Sequence, residues 1–215
     1  MIEIIPSILT NNPQELKEMI HQAEDVVERV QIDIVDGQFA NNKTIDPSVL
    51  ETIDTPLKID FHLMTKEPID WVERVTRAMA DRIIGQVEMM ENQLEFVGKV
   101  QEVGLSVGLA IDLDTPIDRL DATITNDLDV VLVMSVPAGF GGQKFDERAL
   151  DKIKRLDEIR AKDKTPFKIL DDGGIVLDRI DDARRAGVDQ VAIGRIIFKG
   201  DLAQNIEKFK KAAYK

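Results

Sequence analysis

The chain has 215 residues, a length that favours a single domain over residues 1–215. Hydrophobic residues make up 43% and charged residues 32%, which is the composition of an ordinary globular protein and unlike that of a disordered or membrane protein. Forty acidic residues against 28 basic ones give a net charge of −12, so nucleic acid and anionic membranes are poor partners, and the lack of cysteine excludes disulfides, thiolate catalysis and cysteine-ligated metals.

The longest apolar stretch, around Val130–Met134, is far shorter than the roughly 20 residues of a membrane-spanning helix. The N-terminus shows no basic region ahead of an apolar one, as a secretory signal would. We therefore expect a cytoplasmic protein.

Short runs rich in β-branched residues alternate along the chain with longer amphipathic stretches. Asn12 before Pro13 predicts a capped helix start, and Gly104 and Gly187 predict helix ends. The runs predict eight strands: Ile2–Ser7, Arg29–Val35, Leu57–Met64, Arg82–Val87, Ser106–Ile111, Val130–Ser135, Phe167–Asp172 and Gln190–Gly194. The amphipathic stretches predict helices: Pro13–Ala23, Ile69–Ala80, Asn92–Val103, Glu147–Arg160, Leu177–Ala186 and Leu202–Ala212.

Helices that link consecutive strands predict parallel pairing, because parallel strands need long crossover connections. No linker rich in Pro, Gly or Ser interrupts the alternation, and an open doubly wound sheet would also fit it. We favour a closed barrel, because eight evenly spaced units exceed what such a sheet usually needs and no Gly-x-Gly-x-x-Gly turn follows the first strand. The predicted fold class is therefore α/β, a single-domain (β/α)8 TIM barrel.

Glycine and acidic residues gather where several predicted strands end. The segments are Asp33–Gly37, Asp60–Met64, Gly139–Gln143 and Asp172–Gly174. Such strand ends converge on one face of a parallel barrel. There they would combine two carboxylates, one imidazole and a glycine-rich phosphate cradle, which suggests proton transfer on a sugar phosphate.

The alternation of side chains along a strand predicts which of these residues face the barrel interior. On the second strand, Asp33 lies on the face opposite the two isoleucines, so it should point inward. The same alternation points His62 and Asp172 inward on the third and seventh strands, whereas Asp171 points elsewhere. We therefore expect Asp33, His62 and Asp172 to meet.

Glycines at two successive strand ends are candidates for binding a phosphate group. Backbone N–H groups can approach an anion closely at glycine, and the loops after the seventh and eighth strands are the usual phosphate site of this fold. For one Gly-Gly pair alone, a tight turn is the alternative explanation. The candidate glycines are Gly139, Gly141, Gly142, Gly173, Gly174 and Gly194.

Several segments occur in the order and spacing of the ribulose-phosphate 3-epimerase family, so the chain resembles that family over nearly its whole length. The segments are Ile5–Leu9, Asp33–Phe39, His62–Met64, Met134–Val136, Gly139–Gln143 and Asp172–Gly174. The resemblance implies a barrel of the ribulose-phosphate-binding type that interconverts ribulose 5-phosphate and xylulose 5-phosphate. It further implies a divalent metal ion, with Asp33 and Asp172 as acid and base.

The same resemblance implies further substrate contacts. Ser7 resembles a serine that contacts the substrate, and Met64 and Met134 resemble methionines that line the sugar pocket. The chemistry explains the two aspartates, because the C2 carbonyl acidifies the C3 proton and two carboxyl groups can remove and return a proton on opposite faces. A cation that bridges the C2 and C3 oxygens would stabilise the enediolate.

Some residues depart from the family pattern. Gln31 stands where the family has a metal-binding histidine, so the implied metal ligands are Gln31, Asp33, His62 and Asp172. The implied metal is Mn, Mg, Fe or Zn. Because an amide oxygen is a weaker ligand than imidazole, Gln31 shifts the site from zinc toward harder ions such as Mn²⁺ or Mg²⁺, or toward no tightly held metal at all. Arg195 replaces a small residue beside the phosphate, where it could add a charge-assisted bond or point outward. Other departures, which together suggest an altered substrate or reduced activity, are Gln38, Asp46, Gln86, Asp112 and Pro137–Ala138.

Other polar residues have simpler explanations. His21 lies in a charged helical stretch and should face solvent, and Asp36 should shape the Asp-Gly turn. The acidic run Asp178–Asp182 should belong to a solvated helix face. We expect none of them to take part in the chemistry.

Three functions fit the sequence. The first is a pentulose-phosphate 3-epimerase, or a relative that acts on another ketose phosphate such as a hexulose 6-phosphate; it implies a small phosphorylated sugar as partner and leaves homo-oligomerisation open. The second is a sugar-phosphate decarboxylase, but the Asp-x-Lys-x-x-Asp pattern of those enzymes reads Asp60-Phe61-His62-Leu63-Met64-Thr65 here, without the lysine. The third is a non-catalytic barrel that binds phosphorylated ligands.

Overall fold

The computed structural model describes residues 1–163 and 166–214. Eight parallel strands form one closed barrel, in which each strand pairs with the next along the chain and the last pairs with the first. The strands are β1 Glu3–Ile8, β2 Arg29–Val35, β3 Lys58–Met64, β4 Ala80–Gln86, β5 Ser106–Ile111, β6 Val130–Met134, β7 Lys168–Asp172 and β8 Gln190–Ile193. The predicted closed (β/α)8 barrel is confirmed.

Helices surround the barrel in most of the connections between strands. They are α1 Pro13–Ala23, α2 Val72–Arg77, α3 Gln93–Glu102, α4 Arg148–Arg160, α5 Ile180–Ala186 and α6 Leu202–Ala212. Short 3₁₀ helices occupy Pro47–Thr52, Pro68–Trp71, Ile117–Arg119 and Thr125–Asp127. Within residues 1–163 and 166–214, no helix combines the length and the hydrophobicity that a membrane-spanning helix needs.

Local signals account for several of the helix ends. The side chain of Asn12 accepts hydrogen bonds from the first backbone N–H groups of α1, and Pro13 is the first residue of that helix. Gly187 ends α5 in a left-handed conformation with φ of 115°, and Gly104 follows α3 with φ of 77°. The predicted start of α1 and these two predicted helix ends are confirmed.

Two predicted helices are shorter in the structure. The predicted helix Ile69–Ala80 is a 3₁₀ turn followed by α2, and its last residue already belongs to β4. Met79, with φ of 61°, is in a left-handed conformation that stops the helix. The predicted helix Leu177–Ala186 begins only at Ile180, because a turn closed by the N–H of Arg179 precedes it.

Hydrophobic side chains pack in two clusters on the two faces of the barrel wall. Val35, Met64 and Leu170 belong to the cluster inside the barrel. Ile34 and Phe61 belong to the larger cluster between the barrel and the helices. The observed faces are those predicted from the alternation of side chains.

A buried network of polar side chains fills the interior at the amino-terminal ends of the strands. Asp60 accepts hydrogen bonds from Arg29 and Arg82, and Arg82 also donates to Gln190 at 2.8 Å. Gln190 in turn donates to Glu3 at 2.6 Å. The network therefore separates this end of the barrel from the residues at the carboxyl ends of the strands.

Candidate functional site

Three predicted site residues meet inside the carboxyl end of the barrel. Asp33 on β2 and His62 on β3 are partners in the strand register, and Asp172 is the last residue of β7. Their potential ligand atoms all lie within 4.8 Å of one another. The alternation along the strands thus brings two carboxyl groups and an imidazole together.

Asp33 is almost fully buried and is surrounded by hydrogen-bond donors. Ser7 Oγ donates to its Oδ2 atom at 2.6 Å, and Gln31 Nε2 donates to its Oδ1 atom at 2.8 Å. His62 Nδ1 lies 3.2 Å from the same Oδ1 atom. Both carboxyl oxygens of Asp33 therefore have hydrogen-bond donors beside them, which fix the orientation of the carboxyl group.

Asp172 lies across the site from Asp33. Its Oδ2 atom accepts a hydrogen bond from Gln31 Nε2 at 2.6 Å and lies 3.6 Å from His62 Nδ1. Burial raises the pKa of Asp172, and the negative charge of Asp33 adds to this effect, although the hydrogen bonds from His62 and Gln31 oppose it. A raised pKa suits a carboxyl group that carries a proton.

His62 is fully buried between the two aspartates. Burial disfavours a charged imidazolium, but the hydrogen bonds to Asp172 and Asp33 and the charges of both outweigh it and raise the pKa of His62 to about 9. A protonated ring offsets part of the negative charge of the pair at neutral pH.

The same three residues could hold a divalent cation. Two carboxylates and one imidazole suit several divalent transition-metal ions, and their ligand atoms are close enough to share one. The ring nitrogen of His62 must lose its proton to become a ligand, so binding of a cation would release a proton. Gln31, the fourth predicted ligand, presents its amide nitrogen to both carboxyl groups, and its oxygen points away from them.

Asp171 is buried on the other face of β7, as the alternation predicts. It accepts a hydrogen bond from Ser135 Oγ, and its other carboxyl oxygen has no hydrogen-bond partner among residues 1–163 and 166–214. Burial and the negative charge of Asp172 raise the pKa of Asp171 to about 7, while the bond from Ser135 opposes the change. Asp171 therefore links the end of β7 to Ser135, which follows β6, and its side chain does not face the site.

A cavity of about 740 Å³ opens over the site at the carboxyl ends of the strands. Leu9, Val136 and Ile175 give it apolar walls. Its volume is that of a small-molecule site. The predicted residues that line it are Ser7, Asp33, Met64, Met134, Gly139, Gly141, Gly142, Asp172, Gly173, Gly174, Gly194 and Arg195.

Gly173 and Gly174 bring the loop after β7 against the loop after β6. Both have left-handed backbones, with φ of 120° and 64°. A Cβ atom on Gly174 would lie 2.3 Å from the backbone nitrogen of Phe145, and one on Gly173 would lie 2.6 Å from a methyl group of Val136. Only glycine fits both the conformation and the space at these positions.

Two cationic side chains lie at the rim of the cavity, next to Gly194. Arg195 is 71% exposed, and its Nη2 atom lies 3.6 Å from Glu15 on α1. Such an exposed ion pair is weak, so the guanidinium can turn toward an anion in the cavity. Lys199 also lines the rim, and sequence reasoning missed it because only its position in the loop after β8 marks it.

Other departures from the family pattern contact residues other than Asp33 and Asp172. Gln38 is exposed, and Asp46 caps a 3₁₀ helix. Asp112 accepts a hydrogen bond from the N–H of Ala138 at 2.8 Å and so fixes the loop after β6. Gln86 is buried at the end of β4, where its amide lies against the carbonyl of Ala110.

The simpler explanations given for His21 and Asp36 agree with the structure, whereas the acidic run Asp178–Asp182 lies only in part on α5, which begins at Ile180. His21 is 48% exposed and pairs with a neighbouring glutamate. Asp36 accepts hydrogen bonds from two backbone N–H groups of the following turn and from the N–H of Lys66. On α5, Asp181 pairs with Arg184 and Arg185.

Comparison with protein-family models matches residues 3–198 to the model described as the ribulose-phosphate 3 epimerase family. Ribulose-phosphate 3-epimerase 2 of Cupriavidus necator is 34% identical over 205 residues, which cover 92% of this chain and 84% of that protein. Ribulose-phosphate 3-epimerase of Bacillus subtilis is 31% identical over 202 residues, which cover 92% and 93%.

Comparison with solved structures finds the same barrel in distant proteins. The crystal structure of 3-hexulose-6-phosphate synthase from Salmonella typhimurium matches with a TM-score of 0.66 over 99% of this chain and 98% of that one. The two sequences are 14% identical, so this likeness concerns the fold alone.

Proposed function

The chain belongs to the ribulose-phosphate 3-epimerase family, and from this premise we propose that it interconverts ribulose 5-phosphate and xylulose 5-phosphate by moving a proton at C3. The observation that carries the proposal is the pair Asp33 and Asp172, which line one cavity, share the hydrogen-bond donor Gln31 and lie on either side of His62. An epimerase needs two acid–base groups that reach the same substrate carbon from opposite faces, and two aspartates can fill these roles.

The surroundings of the two aspartates differ, and the proposal gives the two groups different roles. Asp33 is surrounded by donors and serves as the base that removes the C3 proton in one direction. Asp172 has a raised pKa and serves as the acid that delivers a proton to the opposite face. In the reverse direction the two groups exchange roles, so one pair of residues supports the reaction both ways.

A divalent cation held by Asp33, His62 and Asp172 would stabilise the negative charge that develops on the substrate oxygens. Two carboxyl groups and one imidazole fit such an ion. Mn, Mg, Fe and Zn were predicted, and a mixed set of oxygen and nitrogen ligands favours the transition-metal ions among them over Mg. Gln31 as a fourth ligand stays a prediction, since its amide would have to turn over to offer its oxygen.

The phosphate group would lie against the glycine-rich loops at the other side of the cavity. Gly173, Gly174 and Gly194 allow the backbone to approach an anion closely there. Arg195 and Lys199 would supply positive charge at the rim. Ser7, Met64 and Met134 also line the cavity, where they would contact the sugar.

The test is proton NMR of ribulose 5-phosphate with the purified protein in D₂O, with chelator and with added Mn²⁺ or Mg²⁺. We expect deuterium at C3 together with xylulose 5-phosphate. Hexulose 6-phosphates serve as competing substrates in the same assay. Absence of exchange under every metal condition would overturn the proposal and favour a barrel that binds sugar phosphates without reacting.

We also propose a cytoplasmic location, as the sequence predicts, and we leave homo-oligomerisation as a prediction. Light scattering of the purified protein at several concentrations measures the oligomeric state. The expected partner is a small phosphorylated sugar, and the net charge of −12 argues against nucleic acid and anionic membranes.

A further inference from the structure

Gln31 joins the two aspartates from beneath the cavity. Its side chain is fully buried on β2. Its Nε2 atom lies 2.8 Å from Asp33 Oδ1 and 2.6 Å from Asp172 Oδ2, so one amide group donates to both carboxyl groups. Its Oε1 atom is buried and has no hydrogen-bond partner within residues 1–163 and 166–214.

The two oxygens that Gln31 binds are those that face the centre of the site. His62 Nδ1 lies 3.2 Å from Asp33 Oδ1 and 3.6 Å from Asp172 Oδ2. A cation shared by these three residues would take its ligands from the same two oxygens. The amide and a cation would therefore compete for them.

Electrostatics sets the orientation of the amide. With its N–H groups toward the carboxyl oxygens, the amide donates one hydrogen bond to each carboxyl group. With its oxygen turned toward them, three oxygens would face one another, which is unfavourable unless a cation lies between. The Oε1 atom is the end of the amide that has no hydrogen-bond partner among the described residues, so the contacts of Gln31 with the two carboxyl groups come from its N–H groups alone.

We propose that Gln31 is a positioning residue that holds Asp33 and Asp172 together through its amide N–H groups and competes with a divalent cation for the same two oxygens. This inference rests on the proposed function, because it takes the two aspartates as the acid and base. The acid pair then keeps its spacing without a cation, and a cation binds only after two hydrogen bonds are broken.

The test compares Mn²⁺ binding by the wild type and by Gln31→Met, which has the same length but no amide. Binding is measured by electron paramagnetic resonance or calorimetry without substrate. We expect Gln31→Met to tighten Mn²⁺ binding by about fivefold or more, since the competing hydrogen bonds are gone. Gln31→Glu, which replaces the donor by an anionic oxygen, should tighten it further. The matched control is Gln86→Met, another buried glutamine, which should leave Mn²⁺ affinity unchanged.

Weaker Mn²⁺ binding by Gln31→Met would overturn the inference, because it would make Gln31 a ligand. Unchanged binding would overturn it too, because the amide would then not compete. In the presence of chelator, Gln31→Met should lower kcat with little change in KM, and Gln31→Asn, which keeps an amide, should recover part of the loss. A purely structural role would change neither parameter in the folded fraction.

A measurement on the wild type keeps the inference testable if the variants do not fold. In ¹⁵N-glutamine-labelled protein, the side-chain amide signal of Gln31 should shift when Mg²⁺ is added, and a signal that stays in place at saturating Mg²⁺ would contradict competition. Absence of C3 exchange by the wild type would overturn the proposed function alone, since the Mn²⁺ and NMR measurements use no substrate.

Discussion

Asp33 and Asp172 carry the proposed chemistry from unlike surroundings. Ser7 and Gln31 hold Asp33 at both oxygens, whereas Asp172 retains 9% exposure and a raised pKa. Asp33→Asn and Asp172→Asn should each lower C3 exchange by a factor of about 10³ or more, because an amide can neither accept nor deliver the proton.

Ligand binding should survive both substitutions, since the proposed phosphate site is formed by the glycine-rich loops and not by the two aspartates. NMR in D₂O measures the exchange, and calorimetry with ribulose 5-phosphate measures the binding. Asp178→Asn, at an exposed position, is the control with normal turnover. Turnover retained by either substituted aspartate would remove that residue from the mechanism.

The raised pKa of Asp171 predicts how the free energy of unfolding depends on pH. Its pKa is about 7 in the folded protein, well above that of an aspartate in an unfolded chain, so the folded state holds the proton more tightly than the unfolded chain. The stability that this group contributes is therefore present below the unfolded value and lost as pH rises through about 7. Asp171→Asn removes this dependence.

The unfolding free energy of Asp171→Asn relative to the wild type should rise by up to about 4 kcal/mol from pH 4 to pH 8. Urea unfolding across that range measures it. The change with pH isolates the titration, because any fixed effect of the buried amide is the same at each pH. Parallel curves for the two proteins would show that Asp171 does not titrate as stated.

Sequence reasoning at the scale of single residues succeeded where strand alternation decides the direction of a side chain. It brought Asp33, His62 and Asp172 together correctly. It could not predict which end of the Gln31 amide faces the carboxyl groups, because rotation about a side-chain bond leaves no period in the sequence. Lys199 was missed for a related reason, since loops have no alternation to follow.

The contact between two loops is the feature that matters most at the scale of elements. Gly174 has φ of 64°, and an added Cβ atom would meet backbone atoms of Lys144 and Phe145. Gly174→Ala should therefore displace the loop after β6, destabilise the protein by about 2 kcal/mol or more, and raise KM for the phosphorylated sugar. Urea unfolding and steady-state kinetics measure the two effects.

Gly98→Ala provides the matched control for that substitution. Gly98 lies on the exposed side of α3, and an added Cβ atom would have nothing within 4 Å. Alanine there should stabilise the protein by about 0.5–1 kcal/mol and leave KM unchanged. Equal effects of the two alanine substitutions would contradict a role for Gly174 in joining the loops.

Sequence patterns predicted the strands more accurately than the helices. All eight strands occur within one or two residues of their predicted ends, because each combines β-branched composition with burial on both faces. The helix predicted over Ile69–Ala80 was too long, because Met79 takes a left-handed backbone without the glycine or asparagine that usually marks one. Tertiary contacts decide such ends, and they leave little trace in local composition.

Across the whole molecule, the net charge has the same sign as the phosphorylated ligand that we expect, whereas the charges at the rim of the cavity have the opposite sign. The net charge is −12, yet Arg195 and Lys199 stand at the rim of the cavity. Arg195→Ala should raise KM by about threefold to tenfold with little change in kcat, and the effect should shrink at high salt. Kinetics at two ionic strengths measure both. A KM unaffected by the substitution would mean that the guanidinium stays with Glu15.

The residues at the amino-terminal ends of the strands contribute to stability, whereas those at the carboxyl ends line the proposed active site. At the amino-terminal end, Asp60 is fully buried and accepts bonds from Arg29 and Arg82, so Asp60→Asn leaves two guanidinium groups without their shared carboxylate. We expect a loss of about 3–5 kcal/mol in unfolding free energy. Asp81→Asn also removes a partner of Arg29, but near the surface, and should cost about 1 kcal/mol or less.

Asp60→Asn should lower stability without lowering the activity of the folded protein. Its hydrogen bonds run to Arg29 and Arg82, whereas the proposed acid and base are bound by Ser7, Gln31 and His62. C3 exchange per folded molecule should therefore stay close to the wild-type rate when the variant is assayed well below its unfolding midpoint. A large loss of exchange in the folded protein would mean that the network reaches the acid pair through the barrel interior, where Asp60 is the register partner of Gln31.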